Sequence, residues 1–165
     1  MAGRPLPGAV RLARALALAG MLALTAAMLL TVVDVALRRP FDVAIKGTVD
    51  LTQLLVMAAA WLAIPYAYLT GGHVSVPLLV DRFPARARAA LAALGHLLAA
   101  ALLAGVAWYG AGQAWLEHSY GEISLTLGIP KIWYWLPLIA GAALSVAACA
   151  RLAVCAARRA ASGGG

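Results

Sequence analysis

Charge is scarce in this chain of 165 residues. Asp, Glu, Lys and Arg make up 12% of it, about half the roughly 25% usual in soluble domains. Apolar residues make up 64%, against roughly 45–50%. A soluble fold this small would lack the polar groups to cover its surface. That excludes an ordinary cytosolic enzyme, a nucleic-acid-binding domain and a disordered chain. Cysteine is nearly absent as well. Cys149 and Cys155 are too few for a disulfide scaffold, and both lie in one apolar stretch, so they say little about redox compartment. Only six acids face thirteen Lys and Arg, giving a net charge of +7. Basic residues strung between apolar runs form no nucleic-acid-binding face, and in a membrane protein such an excess reports orientation.

Motifs of catalysis are missing too. The chain has no H-E-x-x-H, no G-x-S-x-G, no P-loop and no carboxylate cluster within an apolar run. A membrane haem would need two histidines at matching depth, whereas His73 and His118 fall in connections on opposite faces. A thiol oxidoreductase would need C-x-x-C near the outer face, whereas Cys149 and Cys155 are six apart at the inner end of one run. No enzyme activity and no cofactor is expected. Pro65 and Pro137 could distort their helices, yet no charged midplane constellation accompanies them and no internal repeat is evident, which argues against a self-sufficient carrier.

What is present is four long apolar runs. Ala15–Val33, Leu51–Gly72, Ala89–Leu116 and Ile132–Ala150 carry no Asp, Glu, Lys or Arg, and His96 is the one ionisable residue well inside a run. A bilayer core needs about 20 helical residues. Alternation at period two is absent, so helices and not barrel strands must satisfy the backbone in lipid. The expected fold is an all-α membrane protein of four transmembrane helices. The spans run over about 13–37, 48–70, 87–116 and 131–157, in one domain over 1–160, with a disordered tail at 161–165. Arg38-Arg39-Pro40 closes the first span, Gly71-Gly72 the second, and Gly128-Ile129-Pro130 opens the fourth. The first run is too long for a signal peptide and ends in Asp34 to Arg39 instead of a small-residue cleavage site.

Orientation follows from the basic residues. Arg4, Arg11, Arg14, Arg82, Arg86, Arg88, Arg151, Arg158 and Arg159 lie on one side. Arg38, Arg39, Lys46 and Lys131 lie on the other, diluted by Asp34, Asp42, Asp50, Glu117 and Glu122. The positive-inside rule places both termini in the cytoplasm. Trp133, Tyr134 and Trp135 at the outer start of span four, and Tyr66 and Tyr68 at the inner end of span two, read as interfacial belt residues. Alanine and scattered glycines give the spans small-residue faces suited to close helix packing.

A few polar residues stand out. Asp34 and Arg38, four apart, share a helix face and can pair; a partner contact is the competing role. Asp50 opens span two, two residues after Thr48, a plausible N-cap, where a first-turn carboxylate favours the helix dipole. A contact to an outer partner is the alternative. His73 leads into a short apolar segment, Val74–Val80, that reads as interfacial between spans two and three. A structural hydrogen bond to loop backbone is its simplest role. Packing against a neighbouring helix is the simplest role for His96, and a proton relay is the alternative.

Several local patterns, in order, resemble the small (Q-type) membrane subunit of the tripartite ATP-independent periplasmic (TRAP) transporter family. They are Asp34-Val35-Ala36-Leu37-Arg38 with Phe41; the acid Asp50; Tyr66 to Val76, followed by Leu78-Leu79 and Phe83-Pro84; and Ser124 to Pro137, ending near Gly141. Together they cover about residues 20–150. Pro77 stands where the family often has an acid. The resemblance implies a scaffold subunit in the bacterial inner membrane, partnered by a large membrane subunit and a periplasmic substrate-binding protein. The assembly would use an ion gradient, commonly of sodium, to import organic acids such as C4-dicarboxylates. It makes Asp34, Arg38, Asp50, Glu117, Glu122 and Lys131 candidate partner contacts, and His73, Trp133, Trp135 and Pro137 candidate positioning residues. Two rivals are a membrane anchor of a redox complex and a small self-assembling channel or carrier.

Overall fold

A computed structural model of the chain describes residues 7–70 and 84–161. His73, the segment 74–80, Pro77, Gly71-Gly72 and the tail 162–165 lie outside the described residues. Four helices account for nearly all the rest: α1 (Pro7–Phe41), α2 (Thr48–Leu69), α3 (Ala85–Ser119) and α4 (Ile132–Ala161). All four are long and apolar enough to cross a membrane. Among the described residues no strand forms; the one isolated bridge joins Ile123 to Pro130.

Three helices outrun the spans expected from hydropathy. Beyond the 37 read from the sequence, α1 continues through Pro40 to Phe41. A proline in the last turn removes a single donor where few helical bonds remain to be lost, and Arg38 and Arg39 sit favourably at the negative end of the helix dipole. The helix stops at Asp42, whose φ of 52° is left-handed, a conformation that Asp adopts more readily than most residues. α3 runs from Ala85 to Ser119 and takes in His118, which therefore lies in a last helical turn and not in a loop. α4 continues to Ala161, into the expected tail. Polar residues at these ends extend the helices past the apolar core. Pro65 and Pro137 each lie inside an unbroken helix.

The helices stand in an open row. α1 packs on α2, α2 on α4, and α4 on α3, while α3 packs principally on α4 alone. Small residues make these approaches possible. On α1 the buried positions Ala13, Gly20, Ala27 and Asp34 recur every seven residues, with Ala17 between the first two, forming one stripe towards α2. There a Cβ on Gly20 would come within 3.0 Å of the Ala59 carbonyl oxygen. α4 is flanked on both sides and carries the widest buried face, including Leu138, Ala142, Ser145, Ala148 and Cys149. Ala100 and Leu103 of α3 meet Cys149 there, with Trp61 and Tyr68 of α2 packed against the group.

One tight approach is between α2 and α4. Pro65 has no N–H, so the Trp61 carbonyl loses its usual partner one turn back. Gly141 lies directly against that carbonyl, so close that any Cβ would collide with its oxygen and carbon. Long apolar faces of α1 and α3 remain exposed, among them Leu22, Met28, Leu102 and Trp108.

Candidate functional site

The described acidic residues gather at one end of the row, where the α1–α2 and α3–α4 connections lie. Asp34 is on the α1 stripe that faces α2, so it is buried despite its charge. Its Oδ2 accepts from an Arg38 guanidinium nitrogen at 2.8 Å, and its Oδ1 accepts from the Ile45 amide at 2.8 Å. The carboxylate thus fastens the α1–α2 connection back onto the helix it leaves. Thr48 does not cap α2 with its hydroxyl; it donates to the Ile45 carbonyl at 3.0 Å. The N-cap position belongs to Gly47, with φ of 84° and no side-chain bond.

Asp50 is also buried, and it serves a distant partner instead of its own helix end. Its Oδ2 accepts the amides of Thr126 and Leu127 at 3.1 and 3.0 Å, with the Ser124 hydroxyl alongside. Those amides belong to the α3–α4 connection, a tight hairpin in which Ser124 N donates to Ile129 O at 2.8 Å and Lys131 N to Glu122 O at 3.0 Å. The Ser124 hydroxyl accepts from Ile129 N at 3.1 Å, and Gly128, at φ of 67°, makes the turn. The Leu127 side chain lies over Gly47, where a Cβ would overlap its Cγ and both methyls. Two connections far apart in sequence are therefore locked together.

The remaining candidates brace the other half of this end. Glu117 on α3 accepts the Trp135 indole N–H of α4 at 2.8 Å and the Gln113 amide at 3.3 Å. Glu122 and Lys131 pair across the hairpin stem, and the neighbouring Glu122 carboxylate holds the Lys131 ammonium above its usual range. Trp133 is exposed on the first turn of α4, away from these bonds. A cleft of about 440 Å³ opens between α2, the hairpin and α4, lined by Asp50, Gln53, Glu117, Lys131, Tyr134 and Trp135. The hydroxyl of Tyr134, a lining residue, is buried and finds no hydrogen-bond partner among the described residues, and neither does the Thr52 hydroxyl.

A family model for the DctQ component of tripartite ATP-independent periplasmic transporters matches residues 27–159. The chain belongs to this family. It is a small permease subunit of a TRAP transporter, a multi-pass membrane protein and a component of transport machinery. Asp34, Asp50 and the whole hairpin lie inside the matched range, so the fastened loop end belongs to the DctQ portion of the chain. Searches of curated proteins and of solved structures found no match.

Sequence reasoning singled out Asp34, Arg38, Asp50, Glu117, Glu122, Lys131 and Trp135, and the structure brings all seven to this end. It leaves Trp133 and Pro137 outside the bonded set. Ser124 and Leu127 fall within the Ser124–Pro137 pattern, which assigns them no role, and Gly47 is not singled out by it, although it stands just before Thr48 at a helix start.

Proposed function

We propose that this DctQ subunit is a fixed brace within a TRAP importer. Its fastened loop end would face the periplasm, and both termini the cytoplasm, across a bacterial inner membrane. The brace would be one four-helix domain over about 1–160. It would support a large membrane subunit that moves solute, and offer its loop end to a periplasmic substrate-binding protein. The cargo class is organic acids such as C4-dicarboxylates, driven by an ion gradient, commonly sodium, on family grounds alone.

One observation carries the reading. Asp34, Asp50, Glu117 and Glu122 at the loop end are spent on intramolecular bonds, while wide apolar faces of α1 and α3 stand open. Such a chain is built to hold a shape and present it. The distribution of basic residues supports the orientation, since seven described arginines sit at the terminal end.

Affinity purification in native lipid tests this reading. A much larger polytopic subunit should accompany the chain, and the chain reconstituted alone should pass no dicarboxylate in either direction. Flux through the isolated chain, or purification without any polytopic companion, would overturn it.

A further inference from the structure

At the terminal end, α1, α2 and α4 diverge around a cleft of about 140 Å³ lined by Leu12, Leu16, Pro65, Leu69, Leu144 and Ala147, with Arg151 at its margin. Apart from that arginine the described residues that line it are apolar. Arg151 lies nineteen residues beyond Ile132, the first residue of α4, which at 1.5 Å per residue is about 28 Å along the helix axis. A hydrocarbon core is about 30 Å thick. With Ile132 at the outer edge of that core, the guanidinium would stand near the depth of lipid phosphates and the cleft at the depth of acyl chains. Arg158 follows seven residues later on the same face of α4, so a second cation stands further out along that line.

We propose that this cleft is a binding site for an anionic phospholipid, the upper part of one acyl chain lying between α1, α2 and α4 and the phosphate held by Arg151. Arginine suits the role because its planar fork matches a phosphate with two donors. Basic residues set between transmembrane helices at one leaflet recruit acidic headgroups in this way. The pairing of an apolar slot with a cation at its rim selects an amphiphile over a free phosphate. The inference rests on the membrane-spanning architecture alone and is independent of the subunit's partners.

The full chain in detergent, titrated with phosphatidylglycerol or phosphatidylcholine and read by native mass spectrometry, tests the site. The wild-type chain should retain phosphatidylglycerol about fivefold more tightly. Arg151→Gln should erase that preference while leaving phosphatidylcholine binding unchanged. Ala147→Phe, at an exposed position lining the slot, should weaken both lipids. Arg86→Gln, a basic position at the same end on α3, should change neither, and glycerol phosphate should not compete. The proposal fails if Arg151→Gln keeps the preference, if Arg86→Gln removes as much of it, if Ala147→Phe binds both lipids normally, or if glycerol phosphate competes as the lipid does.

Discussion

Asp50 accepts the backbone amide of Leu127 at 3.0 Å, across 77 positions of sequence. The same oxygen takes the Thr126 amide, so one carboxylate on the first turn of α2 holds the tip of a hairpin between α3 and α4. Asp50→Ala removes the acceptor from two amides at once, and an unmet buried donor costs more than a made bond contributes. The thermal midpoint should fall by several degrees, on the order expected for loss of a charged acceptor in a chain of this size. Asp50→Asn keeps one acceptor oxygen and should fall less. Equal midpoints for all three chains in a melt followed by circular dichroism would contradict this account.

The pairing of Asp34 with Arg38 invites a charge swap, and the structure says the swap should fail. Asp34 also accepts the Ile45 amide, a bond that an arginine at 34 cannot make. Asp34→Arg, and the double variant with Arg38→Asp, should both insert into the membrane yet assemble poorly. Rescue by the double variant would show that the ion pair alone matters.

Gly47 and Leu127 should show coupled energetics. Gly47→Ala meets both a left-handed backbone, worth about 1–2 kcal/mol, and the overlapping Leu127 side chain. Leu127→Ala removes the overlap and leaves the backbone strain. In a double-mutant cycle the pair should therefore be less destabilised than the sum of the singles, by about 1 kcal/mol.

Two glycines should respond oppositely to the same change. Gly141→Ala drives a methyl into the Trp61 carbonyl and must push α2 from α4, while Gly112 has open space around its Cβ position. The first should lower stability by roughly 2–3 kcal/mol, in the range of overpacked sites. The second should be neutral or gain up to about 1 kcal/mol, because Gly is the poorer helix former. Unfolding in a detergent–denaturant titration distinguishes them.

Tyr134→Phe should stabilise the chain. Its hydroxyl is buried without a partner among the described residues, and leaving such a group unsatisfied costs about 1–3 kcal/mol. A lowered midpoint would mean that the hydroxyl makes a bond in the assembled transporter or to water.

These predictions divide between what residues announce and what they conceal. Hydropathy marks four spans because lipid imposes length and apolarity on each segment separately. The seven-residue recurrence of Ala13, Gly20, Ala27 and Asp34 was open to inspection too, and it explains why an acid is turned inward at position 34. The role of Asp50 had no local trace: its partners are backbone amides, which every residue carries, at a distance no spacing rule reaches. The row order was hidden for a related reason. Four apolar helices look alike to lipid, and their neighbours are fixed by fits such as Gly141 on Trp61, which need both surfaces at once. The helix ends ran on because polar ends carry no hydropathy signal.

The side-by-side arrangement also sets a schedule for biogenesis. α1 and α2 are adjacent in both chain and space, so they can pair as soon as both have left the ribosome. α3 finds its main neighbour only in α4, the helix made after it, and must wait in the bilayer as a solitary span until α4 follows. Loss of α4 would therefore strand α3 and unlatch the hairpin, leaving an α1–α2 pair as the only native remnant. A chain cut short late in translation should thus present an exposed lone helix to membrane quality control.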